Sequence, residues 1–339
     1  MAHAQAFRRS RKAHEPIEGG RGRSRSICER DAAIVTAASE ASVAAETPSG
    51  GRHALLRSDR AKGLALISPT FVYTLIFLLA PIVVVVVHSF WTQTYLTIDR
   101  TFTLENYKTA LTEPIYRDLL VRSLYISLTV SVATALFAYP IAYYISFYGA
   151  QRKSLWLFLI TIPFWTGYLL RVMAWKVILG YNGVLNEALM GLGITSQPVS
   201  ELLYSTNAVI ITLIHAWAVF AVLPIFVSLE KVDRTLIEAA TDLGDGAVRR
   251  FLRITLPLSM PGVIGAILIV MIPTVGDYVT PKLVGGTEGV MIANAIEAQF
   301  GRAQNWPLGA ALSVTTMIVV SLMAGACVLL LRGLVRLVR

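Results

Sequence analysis

Six apolar segments, each long enough to cross a bilayer, constrain this chain more than any other feature of its sequence. A helix that spans the hydrocarbon core needs about 20 mostly apolar residues. Segments of this kind occur at residues 64–87, 121–146, 155–176, 207–229, 259–280 and 308–331. Because lipid offers the backbone no hydrogen-bond partners, such segments fold as helices. The sequence therefore predicts an all-α integral membrane protein with six transmembrane helices.

Composition agrees with this class and disfavours others. Only 15% of the 339 residues are charged, whereas a soluble domain carries about 25%. The net charge of +9 does not indicate nucleic acid as a partner, because Arg and Lys cluster at the ends of apolar segments and in one N-terminal tail. The two cysteines, Cys28 and Cys327, give neither a disulfide framework nor a metal-ligand set. We expect no cofactor and no metal to be bound by this chain.

The chain divides into a tail and a membrane domain. Residues 1–60 contain RRSRK and RGRSRS, followed by an Ala/Ser/Thr/Glu stretch with few aromatic residues. A segment of this composition cannot bury enough apolar surface to offset its chain entropy. We therefore expect residues 1–60 to be a disordered basic cytoplasmic tail and residues 61–335 to be the six-helix domain.

We expect lipid to surround the spans. The placement of basic residues predicts how the protein is oriented in the membrane. Lys and Arg are enriched in the cytoplasmic loops of membrane proteins. With the N-terminus in the cytoplasm, most of the chain's 30 basic residues fall on that side, including RK at 152–153 and RLVR at 336–339 directly beside spans. The sequence predicts a multi-pass protein with both termini cytoplasmic.

One charged stretch, at about residues 230–258, separates the fourth and fifth apolar segments. Two short parts of it place apolar residues on one helical face: Leu236, Ile237, Ala240 and Leu243 in the first, and Val248, Phe251, Leu252 and Leu256 in the second. Gly244 and Gly246 lie between the parts, where a left-handed turn residue is needed, and Pro257 and Pro261 mark the entry to the next span. The pattern predicts a helix–turn–helix outside the membrane, whose apolar face packs on the protein's own loops or meets a partner.

This stretch resembles the EAA signature of bacterial ABC importer permeases. Glu238-Ala239-Ala240, three residues, Gly244, nine residues and then Ile254-Thr255-Leu256-Pro257 fill every fixed position at the family's spacing. In that family the loop supplies the coupling helix that sits in a groove of the ATPase subunit. The resemblance thus implies the type I ABC importer permease fold. It also implies an ATPase-coupling role for seven residues: Glu238, Ala239, Ala240, Gly244, Ile254, Leu256 and Pro257.

Within that family the chain is most similar to polyamine (spermidine/putrescine) permease subunits, over about residues 62–335. The similarity is carried by residues 162–186, 271–286 and 305–311. It implies import of a polyamine across the bacterial inner membrane, together with a pair of ABC ATPase subunits, a second and different permease subunit and a periplasmic substrate-binding protein. The chain contains no G-x-x-x-x-G-K-[ST] phosphate loop. We therefore expect a transport subunit that is not itself an enzyme, with ATP hydrolysis on another polypeptide.

Two helix interruptions and three side chains are candidates for the substrate path. Transporters often place substrate contacts where a helix is broken, and prolines interrupt the third span at residues 163–167 and the fifth at 273–276. Asp277 is expected near the outer mouth, where it either attracts a cation or pairs with Arg171. Trp165 and Tyr168 offer aromatic faces for ammonium groups, although an interfacial aromatic belt would explain them equally.

Other functions stay open at this point. The same permease could carry an opine, an aminophosphonate, iron or an inorganic anion. An ion-coupled secondary transporter is a second possibility, against which the EAA stretch argues because such a carrier needs no ATPase dock. A membrane enzyme is a third, but the sequence contains no H-E-x-x-H, no G-x-S-x-G and no paired carboxylates within a span.

Overall fold

Long helices dominate the computed structural model, which describes residues 59–94 and 97–338. Five helices are long and apolar enough to cross a membrane, and one sharply bent helix pair makes a sixth when counted as a single span. The prediction of an all-α membrane protein is confirmed. The predicted tail lies outside the described residues, apart from its last two. The chain divides into two units at Ile76 and Phe77, within the first span.

The six spans follow the order of the predicted segments. The first is Asp59–His88, the second Pro114–Tyr148, the fourth Thr206–Glu230, the fifth Leu256–Val275 and the sixth Trp306–Val338. The third consists of Lys153–Thr161, the 3-10 turn Ile162–Trp165 and Tyr168–Ile178. Shorter helices cover Glu105–Thr112, Val184–Gly191, Arg234–Asp242, Ala247–Arg250, Val279–Val284 and Ile292–Gly301. Strands Thr92–Thr94 and Thr97–Asp99 pair as an antiparallel hairpin.

The second, fourth and fifth spans pack together as the main core. The second span also carries a stripe of small buried residues, at Ser123, Ser127, Ser131 and Ala135. The three serine hydroxyls donate to carbonyls in their own preceding turn, at 2.7, 3.0 and 3.0 Å. Because these hydroxyls are satisfied within their own helix and small side chains let helices approach closely, the stripe suits helix packing in lipid.

The third span bends by 83° between its two helices. Pro163 lies in the 3-10 turn that precedes the bend, and it has no N–H to continue the helical ladder. Thr166 and Gly167 then adopt extended backbone, both with ψ of 140°. The interruption predicted from the sequence is therefore present.

The fifth span differs from the prediction at both ends. Its helix is continuous with the second half of the charged stretch, since Ala247–Val275 forms one apolar helical run. A π-helical turn, Phe251–Thr255, precedes Pro257; such a turn allows the helix to pass a residue that lacks an N–H. The helix ends at Val275, not near residue 280, so Asp277 lies in the turn beyond it. The predicted break at residues 273–276 is thus the end of the helix.

Candidate functional site

The charged stretch forms an elbow, residues 234–255, made of two helical arms. The first arm is the helix Arg234–Asp242. It begins at Asp233, whose carboxylate accepts a hydrogen bond from the Thr235 N–H at 2.9 Å and so caps the helix. Hydrogen bonding to Thr235 favours the charged carboxylate and lowers the pKa of Asp233 below its ordinary value.

Gly244 makes the turn between the arms. Its φ is +83°, a left-handed conformation that residues with a Cβ adopt at a cost. The Gly244 N–H donates to the Thr241 carbonyl at 2.9 Å, and the Asp245 N–H donates to the Ala240 carbonyl at 2.9 Å. This pair of bonds is the Schellman motif that ends a helix at glycine. The left-handed glycine predicted here from the sequence is confirmed.

The second arm begins at Ala247 and runs without interruption into the fifth span. The predicted helix–turn–helix is thus present, but its second helix continues into the fifth span and does not stop before Pro257. Asp245 lies at the start of this arm and faces two of its arginines, Arg249 at 3.5 Å and Arg253 at 3.9 Å. A carboxylate at a helix N-terminus also interacts favourably with the helix dipole. Asp245 therefore stabilises both the turn in which it lies and the start of the second arm.

The apolar face predicted for the elbow is only partly exposed. Leu243 and Val248 flank the turn and are 87% and 73% exposed. Phe251, in contrast, points toward the second span, where its ring meets Tyr139 and Tyr143 edge-on at centroid distances of 5.6 and 6.1 Å. The elbow thus has an inner apolar side that packs on the protein. Its exposed apolar arc consists of Leu236, Leu243, Val248 and Leu252, which lie on either side of Gly244 in the chain.

The seven residues of the EAA signature divide between these two sides. Glu238, Ala239 and Gly244 are exposed. The others are buried or half-buried and belong to the inner side: Ala240, Ile254, Leu256 and Pro257. A residue of the first group is available to a partner, whereas a residue of the second group supports the shape of the elbow.

A groove of about 430 Å³ opens at the bend in the third span. Most of its lining is aromatic, and the lining residues come from the third and fourth spans: Phe164, Trp165, Thr166, Gly167, Tyr168, Arg171, Ala216, Trp217 and Phe220. Two of the three predicted pathway residues, Trp165 and Tyr168, belong to it. Trp165 is 80% exposed, so its ring is available to a ligand or to lipid.

Asp277 contacts the same groove through Tyr168. The Asp277 carboxylate accepts hydrogen bonds from the hydroxyls of Tyr168 and Thr280 and from the backbone N–H groups of Val279 and Thr280. With four donors, a carboxylate that is only 8% exposed has its hydrogen-bonding capacity well used. The structure therefore brings together Tyr168 and Asp277, which lie 109 positions apart.

Arg171 has partners of a different kind. Its guanidinium donates to the carbonyls of Phe164 and Thr166, next to the bend, and to the Ala216 carbonyl of the fourth span, each at 3.1 Å. Among the ion pairs of the described residues, none joins Arg171 to Asp277. The ion pair considered from the sequence is thus absent. Arg171 instead satisfies carbonyls that the bend leaves without helical partners.

Three contributors to this site are not predicted from the sequence: Thr280, Trp217 and Phe220. Thr280 completes the shell around Asp277 and could have been found from its spacing, because position i+3 after an aspartate in a turn lies within reach. Trp217 and Phe220 line the groove from the fourth span. Their position in the sequence does not predict this, because the local pattern around an aromatic residue in a span is the same whether it faces lipid, protein or a cavity.

The chain matches a known protein family over most of its length. Residues 64–339 match the family described as binding-protein-dependent transport system inner membrane component. The chain is 37% identical over 252 residues to the spermidine/putrescine transport system permease protein PotB of Escherichia coli K12, covering 74% of this chain and 91% of that protein. The PotB protein of Haemophilus influenzae is 38% identical over 221 residues, covering 65% and 77%.

Solved structures show the same fold. A bacterial alginate ABC transporter in complex with its alginate pentasaccharide-bound periplasmic protein contains a chain that matches with a TM-score of 0.59. The match covers 82% of this chain and 96% of the other at 17% sequence identity. At this identity the likeness establishes the arrangement of the helices and nothing about cargo.

Proposed function

The chain belongs to the family of binding-protein-dependent transport system inner membrane components, and we propose that it imports polyamines and is driven through its elbow. It is a multi-pass permease subunit of the bacterial inner membrane, with the type I ABC importer fold predicted from its sequence. We assign it the movement of spermidine or putrescine from periplasm to cytoplasm, coupled to ATP hydrolysis on a separate ATPase.

The proposed coupling to the ATPase rests on one observation, the exposed apolar arc on either side of Gly244. Large apolar side chains rimmed by charged ones mark a protein–protein contact when they lie outside lipid. Leu243 and Val248 project from the turn, while Arg249 and Arg253 lie beside them on the second arm and are exposed. Positive-inside placement of the basic residues supports a cytoplasmic elbow and two cytoplasmic termini. An ATPase subunit would then meet the arc from the cytoplasm.

The aromatic groove supports a polyamine as cargo. Ammonium groups bind to the faces of Trp, Tyr and Phe, with about 0.5–2 kcal/mol for each contact. Asp277 and Arg171 bring one charge of each sign close to Tyr168, so their long-range effects on a cation largely offset. Selection of an ammonium group would therefore depend on the ring faces, above all on the exposed face of Trp165, more than on net charge. The polyamine permeases among the relatives point to the same cargo.

The partners follow from the family and from the lack of a phosphate loop. We propose a homodimeric ABC ATPase, a second and different permease subunit and a periplasmic substrate-binding protein. The solved alginate transporter is in complex with such a periplasmic protein. Six spans provide one half of a translocation path, which supports the second permease.

Two measurements test this proposal. Gly244→Trp places a large ring at an exposed position where an added Cβ meets nothing within 4 Å. The left-handed φ of +83° costs about 1 kcal/mol, which is too little to prevent membrane insertion, so the variant should insert but lose co-purification with the ATPase. Proteoliposomes that contain the assembled transporter and its binding protein should take up spermidine only with ATP inside. Retained co-purification would count against the docking role, and ATP-independent uptake would favour an ion-coupled carrier.

Uptake assays with several solutes decide the cargo. Spermidine and putrescine should compete with each other, while an opine, an aminophosphonate or ferric iron should not. If one of these alone is imported, the coupling proposal stands and the polyamine assignment is wrong.

A further inference from the structure

A cluster of polar side chains collects three span ends beside the elbow. Glu230 is the last residue of the fourth span. Its carboxylate accepts a hydrogen bond from the Ser146 hydroxyl at 2.6 Å, near the end of the second span. Both carboxylate oxygens also accept from the Lys153 ammonium, at 2.7 and 2.9 Å. Because Lys153 begins the first helix of the third span, one carboxylate joins the ends of three spans.

The first arm of the elbow is attached to the same cluster. Arg234, its first residue, donates to the Ser146 carbonyl at 3.2 Å. The Arg234 guanidinium lies 5.7 Å from the centre of the Phe147 ring, within the range of a cation–π contact. Between Glu230 and Arg234 the chain is short, and the Val232 N–H donates to the Leu229 carbonyl at 3.1 Å. The first arm therefore has little freedom to move without the cluster.

The second arm is attached by different chemistry. It continues into the fifth span, and its Phe251 ring packs on Tyr139 and Tyr143 of the second span. The Tyr139 hydroxyl and the Ser259 hydroxyl form a hydrogen bond of 2.8 Å, again between the second and fifth spans. One arm is thus connected to the spans by apolar contacts and a continuous helix, and the other by a charged cluster.

We propose that Glu230 is a positioning residue for transport, through which movement of the first arm reaches the second, third and fourth spans together. This inference rests on the proposed function, since it needs a partner that moves the elbow. A force on the first arm pulls on Ser146 through Arg234. Glu230 transfers the displacement to Lys153, because its carboxylate holds Ser146 and Lys153 at the same time.

A purely structural role makes a different prediction from a coupling role. Partly exposed ion pairs contribute little to folding stability, so loss of the Lys153–Glu230 pair should leave the permease folded and assembled. Coupling between two sites, in contrast, is lost when the element that connects them is cut. The quantity that separates the two roles is the amount of solute imported for each ATP hydrolysed.

The test uses the complete transporter in proteoliposomes, with ATP hydrolysis and spermidine uptake measured in parallel. Glu230→Lys and Lys153→Glu each place two like charges together. Each variant should assemble and hydrolyse ATP but import at least about fivefold less spermidine per ATP, the lower end of typical coupling energies. The double variant Glu230→Lys/Lys153→Glu restores opposite charges, and the Ser146 hydroxyl can accept from the new lysine. It should recover uptake per ATP to within about twofold of the unaltered protein.

The Lys282–Glu297 ion pair, at 3.1 Å, is the matched control, because it has the same chemistry but lies outside the elbow and its cluster. Reversal of either of its charges should leave uptake per ATP unchanged. The inference is overturned if the Glu230 or Lys153 variants keep normal uptake per ATP, if the control pair lowers it equally, or if the double variant shows no recovery.

Two further outcomes can be distinguished: a variant that fails to assemble, and failure of the proposed function itself. If a charge reversal prevents assembly, Glu230→Gln keeps an acceptor for Ser146 and Lys153 without the charge. In the assembled complex it should still lower uptake per ATP, and an unchanged ratio overturns the inference. If the unaltered transporter shows no ATP-dependent uptake of any solute, the proposed function fails and this inference fails with it. Normal uptake by the unaltered protein together with normal coupling in every variant rejects the inference alone.

Discussion

The Tyr168 hydroxyl donates a hydrogen bond to the Asp277 carboxylate and so joins the bend in the third span to the turn that follows the fifth. Tyr168 is the first residue of the helix that follows the bend in the third span. Asp277 occupies the turn beyond the end of the fifth span. The Thr280 hydroxyl lies within hydrogen-bond distance of both side chains, 2.6 Å from the Tyr168 hydroxyl and 2.7 Å from the Asp277 carboxylate. The bend in the third span and the end of the fifth span therefore stabilise each other, and the groove lies beside this junction.

Asp277→Asn tests whether this junction supports transport. An amide keeps one acceptor oxygen but directs an NH₂ group at donors, so the substitution should lower stability by about 1–3 kcal/mol and misplace Tyr168 in the groove. We expect polyamine uptake to fall more than assembly of the complex, with thermal unfolding in detergent and uptake measured on the same preparations. Asp118→Asn, at an exposed residue of the second span, is the control and should change neither. Equal loss of uptake and assembly in Asp277→Asn would indicate a purely structural junction.

Hydropathy was sufficient to place the six spans, because lipid imposes one length and one polarity on every crossing helix. Local backbone chemistry was equally readable. Pro163 predicted the bend and Gly244 predicted a left-handed turn, since both depend on the residue itself. The end of the fifth span was placed too late, because one charged residue, Asp277, among residues 276–280 does not by itself mark where the helix ends.

Side-chain partners could not be predicted in the same way. An Asp277–Arg171 ion pair was one of two alternatives for Asp277, because both residues lie at similar depth along the predicted spans. Depth fixes the height of a side chain but not the direction in which it points around the helix axis. The rotation of each helix depends on packing among distant segments. In the structure, Asp277 accepts a hydrogen bond from Tyr168, and Arg171 donates hydrogen bonds to backbone carbonyls.

Gly244→Ala separates backbone conformation from steric effects at the elbow. An added Cβ meets nothing within 4 Å, so the cost comes only from the φ of +83°. That strain is about 1 kcal/mol, which corresponds to about a fivefold loss of affinity for the ATPase if docking needs this turn. Gly244→Asn should bind more tightly than Gly244→Ala, because Asn tolerates the left-handed region better. Affinities follow from titration of the purified ATPase; a larger loss for Asn than for Ala would point to side-chain size instead.

Leu243→Asp tests the exposed arc itself. Because Leu243 is 87% exposed, the substitution should change stability by no more than about 0.5 kcal/mol. A carboxylate at the centre of an apolar contact should nevertheless weaken ATPase binding by at least about tenfold. Leu192→Asp is the control, since Leu192 is 75% exposed but lies in the linker between the third and fourth spans. Binding that is lost equally in both variants would place the contact elsewhere than the arc.

Gly262→Ala tests the close packing of the fourth and fifth spans. A Cβ at this position would lie 2.5 Å from the Pro224 carbonyl oxygen and 2.4 Å from the Ser228 Cβ. A backbone carbonyl cannot move aside as a flexible side chain can, so the helices must separate. We expect overpacking to lower the free energy of unfolding by about 1–3 kcal/mol, seen as a lower midpoint in thermal unfolding of the detergent-solubilised protein.

Gly265→Ala, in the same helix, is the control. Its added Cβ meets only the Pro224 Cβ at 3.9 Å, and the substitution gains up to about 1 kcal/mol of helix propensity. Its midpoint should be unchanged or higher, and a lower midpoint for Gly265→Ala than for Gly262→Ala would contradict this packing.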